Sequence, residues 1–299
     1  MQFLVYILVY PFLWLISILP FRLLYLFSDF IYLLLYYVIG YRKKVVKSNL
    51  KLVFPNKSNQ EITTISKKFY HHFCDLIFES IKSLTISEKE MKRRFTFTNV
   101  EEIQKHENNN RSVVLLCAHY ANFEWIFILQ TYIKSKGYGV YKPLANKYFD
   151  ALIKRKRAKY NSYLISTKET IPTLIKSKKD GELTINGFVA DQSPKLNKAQ
   201  YWQSFMGINV PNHTGAEMLA KKLDMAVVFF AVKKVKRGFY ETTFETITTS
   251  PNDYKDYDIT DIYLNRVEKQ IYDAPEYYFW THKRWKHKGK ESNLNSLQN

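Results

Sequence analysis

Hydrophobic and polar positions divide the chain into three stretches of different rhythm. Residues 1–21, MQFLVYILVYPFLWLISILPF, carry no charge, and the apolar run continues to about residue 40 with only Arg22 and Asp29 breaking it. An uncharged stretch of that length is what a helix needs to cross a hydrocarbon core. Pro11, Pro20 and the Arg22/Asp29 pair keep two geometries open, a single span or a helical hairpin lying partly in the interface. Residues 1–40 are expected to form a membrane anchor. From 41 to 95 the pattern is helical and mixed polar. Ile62, Ile65, Phe69, Phe73, Leu76 and Ile77 recur near helical spacing, which predicts a helix with one face packed on the main domain.

From 96 to 288 apolar runs alternate with periodic segments. KHENNNR at 105–111 reads as a loop. RSVVLLC at 111–117 reads as a strand whose lack of alternation predicts cover on both faces. Phe123, Ile126 and Phe127 then fall at helical spacings, with Asn122 as the N-cap. A short strand at 138–142, a basic helix around 147–160, a helix around 169–179 and the strand LTINGFVA at 183–190 follow. Next come a helix at 212–223, the strand MAVVFFAV at 225–232, a half-exposed strand FYETTFETI at 239–247 and a helix near 259–272. This order predicts an α/β fold, a mostly parallel or mixed central sheet flanked by helices, preceded by a hydrophobic membrane helix or hairpin. Residues 289–299 read as a disordered tail.

Charge narrows the choice of partner. The net charge is +18, from 45 basic and 27 acidic residues. Such an excess suits nucleic acid, an anionic membrane surface or an acidic protein, or is simply a solvated lysine-rich surface. The cluster YRKKVVK at 41–47, directly after the apolar run, belongs on a cytoplasmic membrane face rich in anionic headgroups. A cleaved signal peptide is not expected: no basic residue precedes the run and no small-residue cleavage site follows it. With only Cys74 and Cys117 there is no disulfide framework and no cysteine-based zinc pattern.

Four segments could carry chemistry. AHYANFEW at 118–125 begins where the buried strand ends, the usual place for a site in an open α/β sheet. His119 there, with Glu124 one helical turn away, suits a general base acting on a hydroxyl, the carboxylate orienting the imidazole. Seven histidines and 27 acidic residues among 299 give about 0.6 chance occurrences of that spacing, so its position at the strand end carries the reading. VADQSPK at 189–195 also releases a polar group at a strand end. Asp191 suits positioning a substrate, binding a cation or opening a turn before Ser-Pro. The basic stretch YKPLANKYFDALIKRKRAKYN at 141–161 is either a solvated face or a surface for phosphates or an acidic carrier protein. PEYYFWTHKRWKHK at 275–288 is either an aromatic–basic interfacial belt or a packed terminal strand. No phosphate-binding glycine loop, dinucleotide fingerprint, H-E-x-x-H or G-x-S-x-G is present.

Together these segments resemble the lipid A biosynthesis lauroyl/myristoyl (late) acyltransferase family, within the lysophospholipid acyltransferase-like superfamily, over nearly the whole chain. His119 and Glu124 fall on its His-x4-acid motif. The stretch from Tyr141 to Asn161 looks like its Y-[RK]-P…N…R segment, VADQSP like its Asp-Gln segment, SFMG at 204–207 like its Phe-Gly turn, and PEYYFWTHKRWK like its C-terminal motif. The resemblance implies an acyl-carrier-protein donor, a membrane lipid acceptor, no metal or organic cofactor, and a site on the cytoplasmic face of the bacterial inner membrane. It implies that His119 deprotonates the acceptor hydroxyl while Glu124 holds the imidazole, and that Asn122, Lys142, Arg157, Asp191 and Gln192 bind substrate. The +18 charge would steer an acidic carrier and a phosphorylated acceptor to the cleft. Ala121 and Phe123 stand where the family motif H-x-G-N-W-E has glycine and tryptophan, which leaves the acceptor open between a lipid A precursor and an aminolipid or lysophospholipid. A membrane-anchored nucleic-acid-binding protein would explain the charge but not the strand-end motifs, so no nucleic acid is expected; a non-catalytic lipid-binding protein is the remaining class.

Overall fold

The computed structural model describes residues 1–291; residues 292–299, most of the expected tail, lie outside the described part. Helix α1 (Gln2–Ile18) and helix α2 (Phe21–Leu33) meet at Pro20, and α2 runs on through a π-helical turn, Leu34–Ile39. Gly40 ends it at φ +66°, a left-handed backbone that favours glycine. Phe21–Ile39 is long and apolar enough to cross a membrane by length and composition. Its outer residues, among them Leu26, Phe30, Leu33 and Val38, are exposed, as are Leu4, Leu8, Phe12 and Leu15 on α1. The inner face of α2 differs: Leu24 and Ser28 are buried against the rest of the protein. Lys82 closes the C-terminus of α1, its ammonium donating to the Ser17 and Leu19 carbonyls at 2.8 and 2.7 Å.

Helices α3 (Lys43–Val53) and α4 (Asn59–Lys82) follow. A capping box starts α4: Ser58 Oγ accepts from the Glu61 N–H at 3.2 Å, and the Glu61 carboxylate accepts from the Ser58 N–H at 2.8 Å. The apolar face read from the sequence is buried at Ile62, Ile65 and Phe69, and the same helix also buries His72, Asp75 and Glu79. Helix α5 (Glu88–Arg94) leads into strand β1 (Phe95–Phe97), and helix α6 (Glu101–Asn108) into β2 (Val113–Cys117). The loop expected at 105–111 is corrected here: α6 runs through its first half, because Ile103 and His106 have a buried face to pack.

Beyond β2 lie β3 (Lys136–Tyr141), α7 (Lys147–Arg157), β4 (Tyr163–Ser166), α8 (Thr170–Lys179) and β5 (Thr184–Val189). The hairpin β6 (Tyr201–Phe205) and β7 (Ile208–Asn212) precedes α9 (Gly215–Leu223), β8 (Ala226–Lys236), β9 (Phe239–Thr248) and α10 (Asp258–Asp273). The seven-stranded sheet has the order β1-β9-β8-β2-β5-β3-β4, parallel throughout except for the antiparallel pair β8–β9. All five residues of β2 are buried, as expected of a central strand covered on both faces. Strands β1 and β4 and the β6–β7 hairpin were not anticipated, being too short or too mixed to show a two-residue period.

Candidate active site

The site is built by strand register. β2 and β5 are parallel neighbours with Cys117 opposite Val189, so the two chains leave the sheet side by side. His119 and Asp191 each lie two residues beyond, and the structure brings them together. Asp191 Oδ1 accepts from the His119 N–H at 3.1 Å and sits 2.7 Å from the imidazole Nδ1. Asp191 is 1% exposed and His119 23%. Burial would raise the Asp191 pKa, but the charge of His119 and its two hydrogen bonds outweigh it and hold the carboxyl below the usual range. Phe123 and Phe279 flank the imidazole, with ring centroids at 5.1 and 6.0 Å.

Glu124 makes a different contact from the one its spacing suggested. Its carboxylate is held by the Arg157 guanidinium, through Nη2 and through Nε at 3.1 Å, with Lys156 Nζ at 3.6 Å. Among the described residues it is Asp191, not Glu124, that bonds His119. The reason is local: Phe123–Thr131 is a 3-10 helix rather than an α-helix, and Asn122 makes no capping hydrogen bond. The spacing that would bring residue 124 back over residue 119 is not formed. Burial raises the Glu124 pKa, and the two cations reverse that, leaving it low. Lys156 in turn is lowered by its burial against the pull of Glu124, and it also donates to Ser80 Oγ at 2.7 Å.

The remaining expected residues divide. Asn122 is buried, and its amide donates to Glu79 Oε2 at 2.7 Å, so it supports the loop from beneath. Gln192 is half-buried beside Asp191, and Lys142 is exposed just past the end of β3, on the same edge of the sheet. Ala121 adopts φ +47° and donates its N–H to the Tyr277 carbonyl at 3.0 Å. That left-handed backbone explains why a glycine suits this position: alanine there carries a steric cost of about 1–2 kcal/mol.

A family model for bacterial lipid A biosynthesis acyltransferases matches residues 1–287. The chain belongs to that family. It is 26% identical over 277 residues to a lipid A biosynthesis lauroyltransferase of Escherichia coli strain K12, an overlap of 92% of this chain and 89% of that protein. It is 22% identical over 251 residues to the lipid A biosynthesis palmitoleoyltransferase of the same organism, covering 82% and 79%. The protein is an acyltransferase.

Several residues of this acyltransferase's candidate site escaped the sequence reading. Arg284 is 1% exposed and ties the Asp191 loop to the C-terminal segment, donating to the Pro211 carbonyl at 3.0 Å, to Ser193 Oγ at 3.4 Å and to Asn212 Oδ1. Ser193 donates its N–H to His282 Nε2 at 3.4 Å. Burial and neighbouring cations push the His282 pKa down to about 4, so this second histidine, beside the Asp191 loop, is neutral. The backbone of the same segment clamps the other loop, since the Phe279 N–H donates to the His119 carbonyl at 3.1 Å. The alternative of an interfacial belt for 275–288 is thus corrected: Tyr278, Trp280, Arg284 and Trp285 are buried. Arg and His inside an aromatic run were the available signal, but a run of that composition reads the same at a membrane surface.

Proposed function

We propose that this acyltransferase moves a fatty acyl chain from acyl carrier protein to a hydroxyl of a lipid A precursor, at the cytoplasmic face of the inner membrane. The observation that carries the reading is the His119–Asp191 pair at the ends of two parallel strands, beside a carboxylate held by two cations. With Nδ1 donating to Asp191, the lone pair of His119 lies on Nε2. That nitrogen takes the proton of the acceptor hydroxyl as its oxygen attacks the thioester carbonyl. Asp191 stabilises the imidazolium, which returns the proton to the departing thiolate as the tetrahedral intermediate collapses. Asp191 thus takes the orienting part that the spacing assigned to Glu124. Glu124 instead fixes Arg157 and Lys156, and Arg157, Lys142 and Gln192 offer donors to anionic substrate groups. The relatives' lipid A substrates and the net charge of +18 support a phosphorylated lipid acceptor and an acidic donor. The exposed apolar surfaces of α1 and α2 support attachment to the membrane, with residues 1–40 as the anchor.

The test is transfer from labelled acyl carrier protein by the detergent-purified chain, with a lipid A precursor and a monoacyl aminolipid offered side by side. Label in the lipid A precursor, lost in His119→Ala, is the expected result. Label in the aminolipid alone would reassign the acceptor. Transfer that survives in His119→Ala would remove the histidine from the mechanism.

A further inference from the structure

A cavity of about 460 Å³ opens between α2, α4, β8 and the turn at Pro275–Tyr277. It is lined by Tyr32, Lys67, Lys68, His71, His72, Lys234, Glu276 and Tyr277, and none of these takes part in the proposed acyl transfer. Three of the lining groups are ammoniums, against one carboxylate, Glu276, which Lys68 meets at 3.7 Å. Two lining side chains are held rigidly. Lys234, 9% exposed, lies 3.1 Å from His72 Nδ1 and 3.5 Å from Asp75 Oδ2. His72 is 2% exposed, and its Nε2 has no hydrogen-bond partner among the described residues.

That orphan nitrogen is a donor. An ammonium has no lone pair to offer, so Lys234 donates and His72 Nδ1 accepts, which leaves the ring proton on Nε2. Burial, with Lys234 and His71 beside it, keeps the imidazole neutral by holding its pKa well below the ordinary range. That N–H is itself enclosed, its ring edge-on to Tyr277 with centroids 4.8 Å apart, so it does not meet the cavity, and the imidazole steadies Lys234 from behind. Three ammoniums around one opening are best met by an anion with several oxygens.

The position of the cavity tells which anion. Tyr32 belongs to α2, whose neighbouring Phe30 and Leu33 are exposed and apolar. Lys67 lies 5.8 Å from the Tyr37 ring centre, and Lys43 lies 3.9 and 5.9 Å from those of Tyr36 and Tyr37. Tyrosines with lysines over their faces at the end of an apolar helix form the pattern of a headgroup layer. We propose that this cavity binds the phosphate of an anionic lipid headgroup, gripped by Lys67, Lys68 and Lys234. The wall it shares with the catalytic loop is short: the Tyr277 ring lines the cavity, while the Tyr277 carbonyl accepts from Ala121.

The experiment titrates the full chain in a non-ionic detergent with short-chain phosphatidylglycerol, short-chain phosphatidylcholine and inorganic phosphate, reading bound ligand by native mass spectrometry. Phosphatidylglycerol should bind in clear preference to the other two. Lys67→Ala/Lys68→Ala should weaken it by about tenfold or more, whereas Lys176→Ala/Lys179→Ala, which removes the same charge from the exposed face of α8, should leave it unchanged. Lys234→Ala, checked for folding by its thermal transition, should weaken it as well. Unaltered phosphatidylglycerol binding in the Lys67/Lys68 variant would overturn the site. Inorganic phosphate binding as tightly as the lipid would overturn its assignment to a headgroup. Acyl transfer is not the readout, so the outcome is independent of the proposed reaction.

Discussion

Two buried carboxylates grip the same short loop, residues 119–122, by opposite chemistry. Asp191 meets a group that can carry a proton, the imidazole of His119, and that partner holds its pKa below the ordinary range despite complete burial. Glu79 meets only neutral donors: Tyr25 and Tyr240 hydroxyls at 2.8 Å and the Asn122 amide at 2.7 Å. Its burial, with Asp75 nearby, pushes its pKa up to about 7. A hydrogen-bonding partner that can take up a proton keeps a buried acid ionised and able to stabilise the cation that forms. Neutral donors make a joint instead, and Glu79 joins α2, α4, β9 and the catalytic loop. The comparison separates the acid paired with an imidazole from the acid that ties the loop to its surroundings.

Breaking the functional half should produce the largest effect. His119→Ala is expected to lower acyl transfer by about 10³–10⁴-fold with folding unchanged, as loss of a general base does; turnover and the thermal transition together check it. On the structural half, Arg237 bonds Asp75 Oδ1 and Oδ2 through Nε at 3.0 and 3.1 Å and Asp29 Oδ1 through Nη2 at 2.6 Å. Arg237→Ala strips a fully buried carboxylate of its main cation and should cost about 3–5 kcal/mol in denaturant unfolding. If it costs little, Asp75 is not held as a buried charge by Arg237.

The next two changes sharpen the contrast. Asp191→Asn should lower transfer by about 10²–10³-fold, because an amide cannot stabilise the imidazolium. Glu124→Gln should lower it by only about tenfold, chiefly through weaker substrate binding as Arg157 loosens. A larger loss in Glu124→Gln than in Asp191→Asn, measured as kcat and KM, would restore Glu124 to the orienting role. Glu79 makes the pH prediction. Its folded pKa of about 7 lies above the unfolded value of 4.5, so the folded state binds more protons between them. Stability should therefore fall as pH rises from about 4.5 to about 7, by up to about 3 kcal/mol from this group. Glu79→Gln should flatten that slope, and thermal transitions across the range would reveal it. The smallest change is Ala121→Gly, expected to stabilise by about 0.5 kcal/mol as relief of the left-handed strain slightly exceeds the entropy added to the unfolded chain.

The sequence by itself determined the parts of this protein that rest on local periodicity and composition. The strand 113–117 read as buried because five apolar residues without alternation suit only a strand covered on both faces. The helices of the second half read from the spacing of their apolar residues, as at Ala216, Leu219, Ala220 and Leu223, all buried in α9. His119 and Asp191 were each legible as polar groups released at strand ends. Their partnership was not. It depends on β2 and β5 being neighbours in register, 72 residues apart in the chain, and pairing between distant parallel strands leaves no local trace. The same limit hid Glu79 and Arg237, which in sequence are ordinary charged residues of a helix and a turn. Only the tertiary structure decided which acid faces the imidazole. Side-chain spacing proposes a partner within one turn of chain, whereas a folded sheet offers one from the next strand, closer and better aimed.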